Sequence, residues 1–142
     1  MGEAKRQRVA VEVSVQDEEH GFRPGEAIEG TVSWVSARAP SAIEVRLIVR
    51  EAGLGGGQTT VAERLGIESP AATGAAPFRF IAPAGKHSFY AKVVCRDWGV
   101  EAVAQPSGGR AVCWISISPT GKTIVFSPYD YYEEVMADEA SE

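Results

Sequence analysis

Apolar residues recur at every second position in three runs over the first half of the chain. Val9, Val11, Val13 and Val15 are separated by Ala10, Glu12 and Ser14. Successive side chains of a strand point to opposite faces, so this spacing predicts a strand with one face in a core. Ile28, Gly30, Val32 and Trp34 repeat the pattern against Glu29, Thr31 and Ser33. Ile43, Val45, Leu47 and Val49 repeat it against Glu44, Arg46 and Arg50. The cluster Gly21-Phe22-Arg23-Pro24-Gly25-Glu26 reads as the first turn and Pro40-Ser41 as the second break. Three consecutive half-buried strands joined by turns predict a sandwich or a barrel.

The middle of the chain has a weaker pattern. Gly53-Leu54-Gly55-Gly56-Gly57 is a hairpin tip, since glycine packs nothing and costs entropy to order. The stretch from Gln58 to Ile67 reads as the return strand, weakened by Arg64-Leu65-Gly66, and Pro70 to Pro77 reads as a loop. Phe78-Arg79-Phe80-Ile81-Ala82 is a short strand that Pro83 closes, because proline cannot donate to the ladder. Phe89 to Ala104 reads as one long strand. Its apolar parity changes from Phe89, Ala91, Val93 and Cys95 to Trp98, Val100, Ala102 and Ala104, which predicts an extra residue near Arg96-Asp97. Pro106-Ser107-Gly108-Gly109 is a hairpin turn, Arg110 to Ser118 its partner strand, Pro119 to Lys122 another turn and Thr123 to Phe126 a last short strand. A helix is expected only from Tyr131 to Ala137.

Eight or nine short strands at this spacing suit one domain, and 142 residues are enough for one core. The expected division is a basic N-terminal arm over 1–8, a sandwich over 9–127 and an acidic, tyrosine-containing tail over 128–142. The spacing of cysteine and tryptophan is not that of a true immunoglobulin domain.

One ordered set of segments carries a family resemblance. Phe22-Arg23-Pro24-Gly25-Glu26-Ala27-Ile28-Glu29-Gly30-Thr31-Val32 precedes Ile43-Glu44-Val45-Arg46-Leu47. Phe78-Arg79-Phe80-Ile81-Ala82-Pro83 and Ser88-Phe89 follow, and Trp98-Gly99-Val100-Glu101-Ala102 ends the series. The set resembles the N-terminal domain of the arrestin-like family, in the single-domain bacterial form that includes sporulation-control-type proteins. The retromer subunit family called Vps26 is a more distant likeness. The resemblance covers roughly Val9 to Ser118. It implies an all-β, immunoglobulin-like, two-sheet antiparallel β-sandwich that presents edges and loops to a partner. Arrestins proper have two such sandwiches. Only one fits here, so their buried polar core between domains and its phosphate-triggered rearrangement do not carry over.

Candidate chemistry is sparse. His20 follows Asp17-Glu18-Glu19, which reads as a solvated acidic turn before it reads as a metal chelate. Gly-x-Ser-x-Gly is absent, and Ser88 beside His87 would point to the opposite face of a strand. Gly121-Lys122-Thr123 lacks the upstream glycine and helix of a phosphate loop. Cys95 and Cys113 sit in apolar runs and read as small buried hydrophobes, with a disulfide between them left open. Neither an enzyme nor a cofactor or metal site is expected.

Two features are candidates for partner binding. Lys5, Arg6 and Arg8 precede the first strand, as either a solvated arm or, by the arrestin resemblance, a phosphate-sensing group. Tyr129, Tyr131 and Tyr132 lie among acids, where their rings either engage a partner at small entropic cost or cover a sheet edge. The net charge of −5 argues against nucleic acid, and no apolar run reaches the length of a membrane span. A cytoplasmic adaptor or scaffold is therefore expected. It would bind a protein partner through a sheet edge or the loops of 53–77, and the same edges allow a homodimer. A regulatory or structural subunit that binds a membrane surface or a small ligand, or a self-assembling homo-oligomer, is the alternative.

Overall fold

The computed structural model describes residues 9–126 apart from Glu18 and Ser107. These residues form ten strands and no helix: β1 (Ala10–Val15), β2 (Gly21–Phe22), β3 (Ala27–Val35), β4 (Ala42–Gly53), β5 (Gly56–Glu68), β6 (Thr73–Ile81), β7 (Phe89–Tyr90), β8 (Cys95–Gln105), β9 (Arg110–Ile117) and β10 (Ile124–Val125). One antiparallel sheet has the order β1-β3-β6. The larger sheet runs β5-β4-β8, and beyond β8 the next place is shared by two strands. There β7 pairs with Cys95 and Arg96, while β9 pairs with Trp98 to Val103. Short β2 extends the sheet beside β9, and β10 extends it beside β7.

The inward residues are those that the alternation selected. Ile28, Val32 and Trp34 of β3 face Ile43, Val45, Leu47 and Val49 of β4, with Phe80, Trp98, Val100 and Ile117 filling the layer between the sheets. Two tryptophans each tie a loop to this core. Trp34 Nε1 donates to the Ala71 carbonyl at 2.8 Å, and Trp98 Nε1 donates to the Lys86 carbonyl at 2.6 Å. Paired in this way, a buried indole keeps its apolar area without leaving its N–H orphaned.

The two-sheet sandwich is as expected, with local differences. Phe89 to Ala104 is not one bulged strand. The chain reverses through Ala91 to Val94, so that Tyr90 lies opposite Cys95. The change of parity marks this reversal. The bulge falls elsewhere: Leu47 pairs with Glu63 and Ile48 with Val61, leaving Ala62 as the extra residue of β5. Residues 73–77 are strand, not loop. Their inward positions, Gly74 and Ala76, are small because the Trp34 ring occupies the space a side chain would take: a Cβ at Gly74 would stand 2.7 Å from Trp34 Cζ2. Gly21 and Phe22 form a strand within the expected turn. Two pairings, β2 with β9 and β10 with β7, are parallel, so the larger sheet is mixed rather than wholly antiparallel.

Candidate protein-binding surface

The β4–β5 hairpin turns on two residues, Leu54 and Gly55, with Gly56 at φ 112° supplying the left-handed conformation that the tight tip requires. β5 then runs for 13 residues, from Gly56 to Glu68. Almost all of it is exposed; only Val61 and Ile67 are half-buried. Among the described residues, no strand pairs with its outer edge.

The matching edge of the smaller sheet is β6, and it differs in one respect. Pro77 sits in its middle, opposite Thr31, and has no N–H to offer. β5 contains no proline. A row of backbone donors and acceptors therefore stays available on β5, while the row on β6 is interrupted. Between the two edges lies an open cleft of about 450 Å³, lined by Leu65 of β5 and by Pro77, Phe78 and Arg79 of β6. Gln16 and Glu29 line it too, so the cleft offers both polar and apolar contact to side chains that would point inward from a strand laid on β5.

The outer face of the larger sheet is built differently. Glu101 is buried and lies between Arg46, at 3.2 Å, and Arg110, at 2.6 Å. Arg46 also binds Glu44, which Arg64 approaches at 3.5 Å. The hydrogen bond to Glu44, and then the attraction of Glu101, raise the Arg46 guanidinium above its ordinary value against the opposing effect of burial. These charges are spent on one another, and a buried ion pair is stable only when it is so satisfied. The next row is apolar. Ile48 is buried there, and the Trp114 ring lies on Gly99, where an added Cβ would meet Trp114 Cε3 at 3.0 Å. Arg50 caps the ring at 5.8 Å.

Ser88 takes a structural position. It is fully buried, and its Oγ accepts from the Ile117 N–H at 2.9 Å. Its own N–H donates to the Ile117 carbonyl and its carbonyl accepts from Ile124, so one serine joins β9 to β10. Cys95 and Cys113 are free thiols. Cys113 Sγ lies 3.8 Å from His20 Nδ1 across 93 positions of sequence, a pairing that no local pattern announces. Burial pushes the Cys113 thiol above its ordinary value, only partly offset by a hydrogen bond from the Val15 backbone. An activated thiol would be shifted the other way. At pH 8 Cys113 should therefore alkylate more slowly in the folded protein than in urea, with its rate rising only above the usual thiol range. Peptide mapping after iodoacetamide treatment checks this, and equal or faster labelling in the folded state would contradict it.

Lys5, Arg6, Arg8, Tyr129, Tyr131 and Tyr132 all lie outside the described residues, as do the helix expected at 131–137 and the limits drawn for arm and tail. Among the described residues, no three His, Cys, Asp or Glu side chains group as metal ligands, and no helix is long and apolar enough to cross a membrane. The composition of Gly53 to Pro77 marks the region of the hairpin but not the contrast between its two edges. Pro77 is the one local signal of that contrast, and the small residues before it disguise the strand it interrupts.

No family model matches the chain, and no curated protein matches its sequence. Solved structures do match in shape. The sporulation control protein Spo0M of Bacillus subtilis superposes with a TM-score of 0.59 at 15% identity, over 78% of this chain and 49% of that one. The chain thus spans about half the length of Spo0M. The CARDB domain of a Pyrococcus furiosus protein, crystallised with di-metal ions, gives 0.46 at 11% identity, over 80% and 90% of the two chains. Neelaredoxin, a superoxide reductase of Ignicoccus hospitalis, gives 0.44 at 12% identity, over 83% and 88%. The first of these likenesses shows an arrestin-like β-sandwich fold.

Proposed function

We propose that this chain is a non-catalytic adaptor or scaffold domain that takes a protein partner as an added strand on the β5 edge. The observation that carries this reading is the edge of β5, unpaired among the described residues and beside a cleft that Leu65 and Phe78 line together with Glu29 and Arg79, set against the proline-interrupted edge of β6. Strand addition draws its affinity from main-chain hydrogen bonds and its selectivity from pockets for alternate side chains. Both parts are present here: a long row of backbone groups, and Leu65 with Phe78 at the cleft. The Trp114 and Arg50 pair on the adjoining face supplies further contact area of the kind that anchors interfaces. Fold likeness names no partner.

The test uses two exposed positions of β5. A two-residue tip makes Gly53 and Gly56 a hydrogen-bonded pair, and alternation from there turns the Thr59 N–H outward, away from β4. Thr59→Pro therefore removes an outward donor while sparing the β4 ladder. Leu65→Lys places a charge at the cleft. The expected result is that the double variant keeps its far-ultraviolet spectrum and loses, by about tenfold or more, the proteins that wild type captures from lysate of its source cell. Capture of the same proteins in the same amounts would reject the β5 edge as the binding site.

A further inference from the structure

We infer that one occupant of the β5 edge is a second copy of this chain, paired antiparallel about a two-fold axis through Gly66; the inference rests on the edge reading just given. Beyond the bulge at Ala62, residues 63–68 form a regular strand. Arg64 and Glu68 lie opposite Arg46 and Ala42, on the outer face with Gly66. Leu65 and Ile67 lie opposite Val45 and Ile43, on the core side. A two-fold axis perpendicular to the sheet continues it without inverting it, so outer residues of one copy meet outer residues of the other.

That condition leaves few registers, and charge selects among them. An axis at Arg64 sets two arginines face to face. One at Leu65 sets Glu63 against Ile67. One at Ile67 sets Glu68 against Gly66 and Leu65 against Ser69. An axis at Gly66 sets Arg64 of each copy against Glu68 of the other, and Leu65 of each against Ile67 of the other. Every opposed pair from 64 to 68 is then complementary in charge or in polarity; the Arg64–Glu68 and Leu65–Ile67 pairs each occur twice, and Gly66 meets its own copy on the axis. Directly opposed strand residues stand close enough for this to matter: unlike charges attract across the seam, while like charges destabilise it. Gly66 suits the axis because nothing lies within 4 Å of where its Cβ would stand. Arg64 is free to turn toward the seam, since its contact with Glu44 is a 3.5 Å pair at a side chain 64% exposed.

The seam is short, about 20 Å of strand, so association should be weak and dependent on concentration. Sedimentation velocity of the full chain between roughly 10 µM and 1 mM reads it directly. Wild type is expected to pass from monomer to dimer within that range. Arg64→Glu alone and Glu68→Arg alone should each weaken association about tenfold or more, because each creates two like-charge pairs. An equimolar mixture of the two single variants should recover the wild-type value. In the mixed dimer the introduced glutamate meets the introduced arginine, and the native Arg64 meets the native Glu68. Circular dichroism should be the same for all four samples.

A wild type that stays monomeric to the top of the range overturns the inference. So does a single variant that associates like wild type, or a mixture that does not recover. These outcomes are separable from a failure of strand addition itself: loss of captured partners in Thr59→Pro/Leu65→Lys, with monomeric wild type, removes only the dimer. Normal charge rescue together with unchanged capture removes only the heterologous partner.

Discussion

Gly30→Ala should cost the domain roughly 3 kcal/mol or more, far above the ordinary penalty for replacing a glycine in a strand. Gly30 is buried in the middle of β3, pairing with Val15 on one side and Phe78 on the other. A Cβ built there overlaps the Ser14 carbonyl oxygen and stands 2.5 Å from Phe78 Cζ. The first obstacle is backbone and cannot rotate away. The second is a ring that is 5% exposed and packed against Phe80 at 5.9 Å, so it can give way only toward the cleft it lines, and its movement does not relieve the backbone clash. Relief requires β1 to part from β3, and with it the inward side chains Val11, Val13 and Val15. Gly55→Ala is the control, since nothing lies within 4 Å of its Cβ position and its stability should change by about 0.5 kcal/mol or less. Urea unfolding of the three proteins gives the comparison. A Gly30→Ala midpoint equal to that of Gly55→Ala would show that β1 does not lie against Gly30 as described.

The same contact explains why some of the fold was legible and some was not. β1, β3 and β4 could be read because most of their inward positions are large and apolar and most of their outward ones polar or small, with Gly30 and Ile48 among the exceptions. Alternation records a difference between two faces. Where the difference vanishes, so does the signal. β5 is exposed on both faces, and its sequence of threonine, glutamate, arginine and glycine shows little period. β6 fails from the opposite cause: Gly74 and Ala76 are inward, but the bulk at that level belongs to Trp34, and a small inward residue looks like loop. At Ala91 to Val94 the alternation is present but ambiguous, since a bulge and a reversal both shift its phase. The pairing of β7 with β8 decides between them, and pairing is not written in one strand. The meeting of Cys113 with His20 is tertiary in the same sense. The candidate surface was therefore legible as a stretch of chain and illegible as a site. Its defining property is the absence, among the described residues, of a neighbour on the outer edge of β5 and the presence of Pro77 across the cleft, and both depend on which strands lie beside which.

Trp34 is the residue on which the placement of that edge rests, and Trp34→Ala should destabilise the domain by about 3–5 kcal/mol. The indole is 4% exposed, and Gly74 opposite cannot fill the space it would leave. Its N–H reaches the Ala71 carbonyl in the short crossover that carries the chain from β5 to β6, and so from one sheet to the other. That crossover begins at Ser69, held at a left-handed φ of 49°, an unfavourable conformation for a residue other than glycine. Packing and hydrogen bonding can be separated. Trp34→Phe keeps most of the ring in the core but leaves the Ala71 carbonyl without its donor, at a cost of about 1–2 kcal/mol. The domain should stay folded, with faster amide exchange confined to 69–73 and the adjoining end of β5. If the crossover fixes Glu68 in the register that a second strand meets, Trp34→Phe should also weaken association of the full chain, although Trp34 belongs to β3 and not to the β5 edge. Unchanged exchange at 69–73 would mean that the indole serves as core filling alone and that the end of β5 is held by something other than this bond.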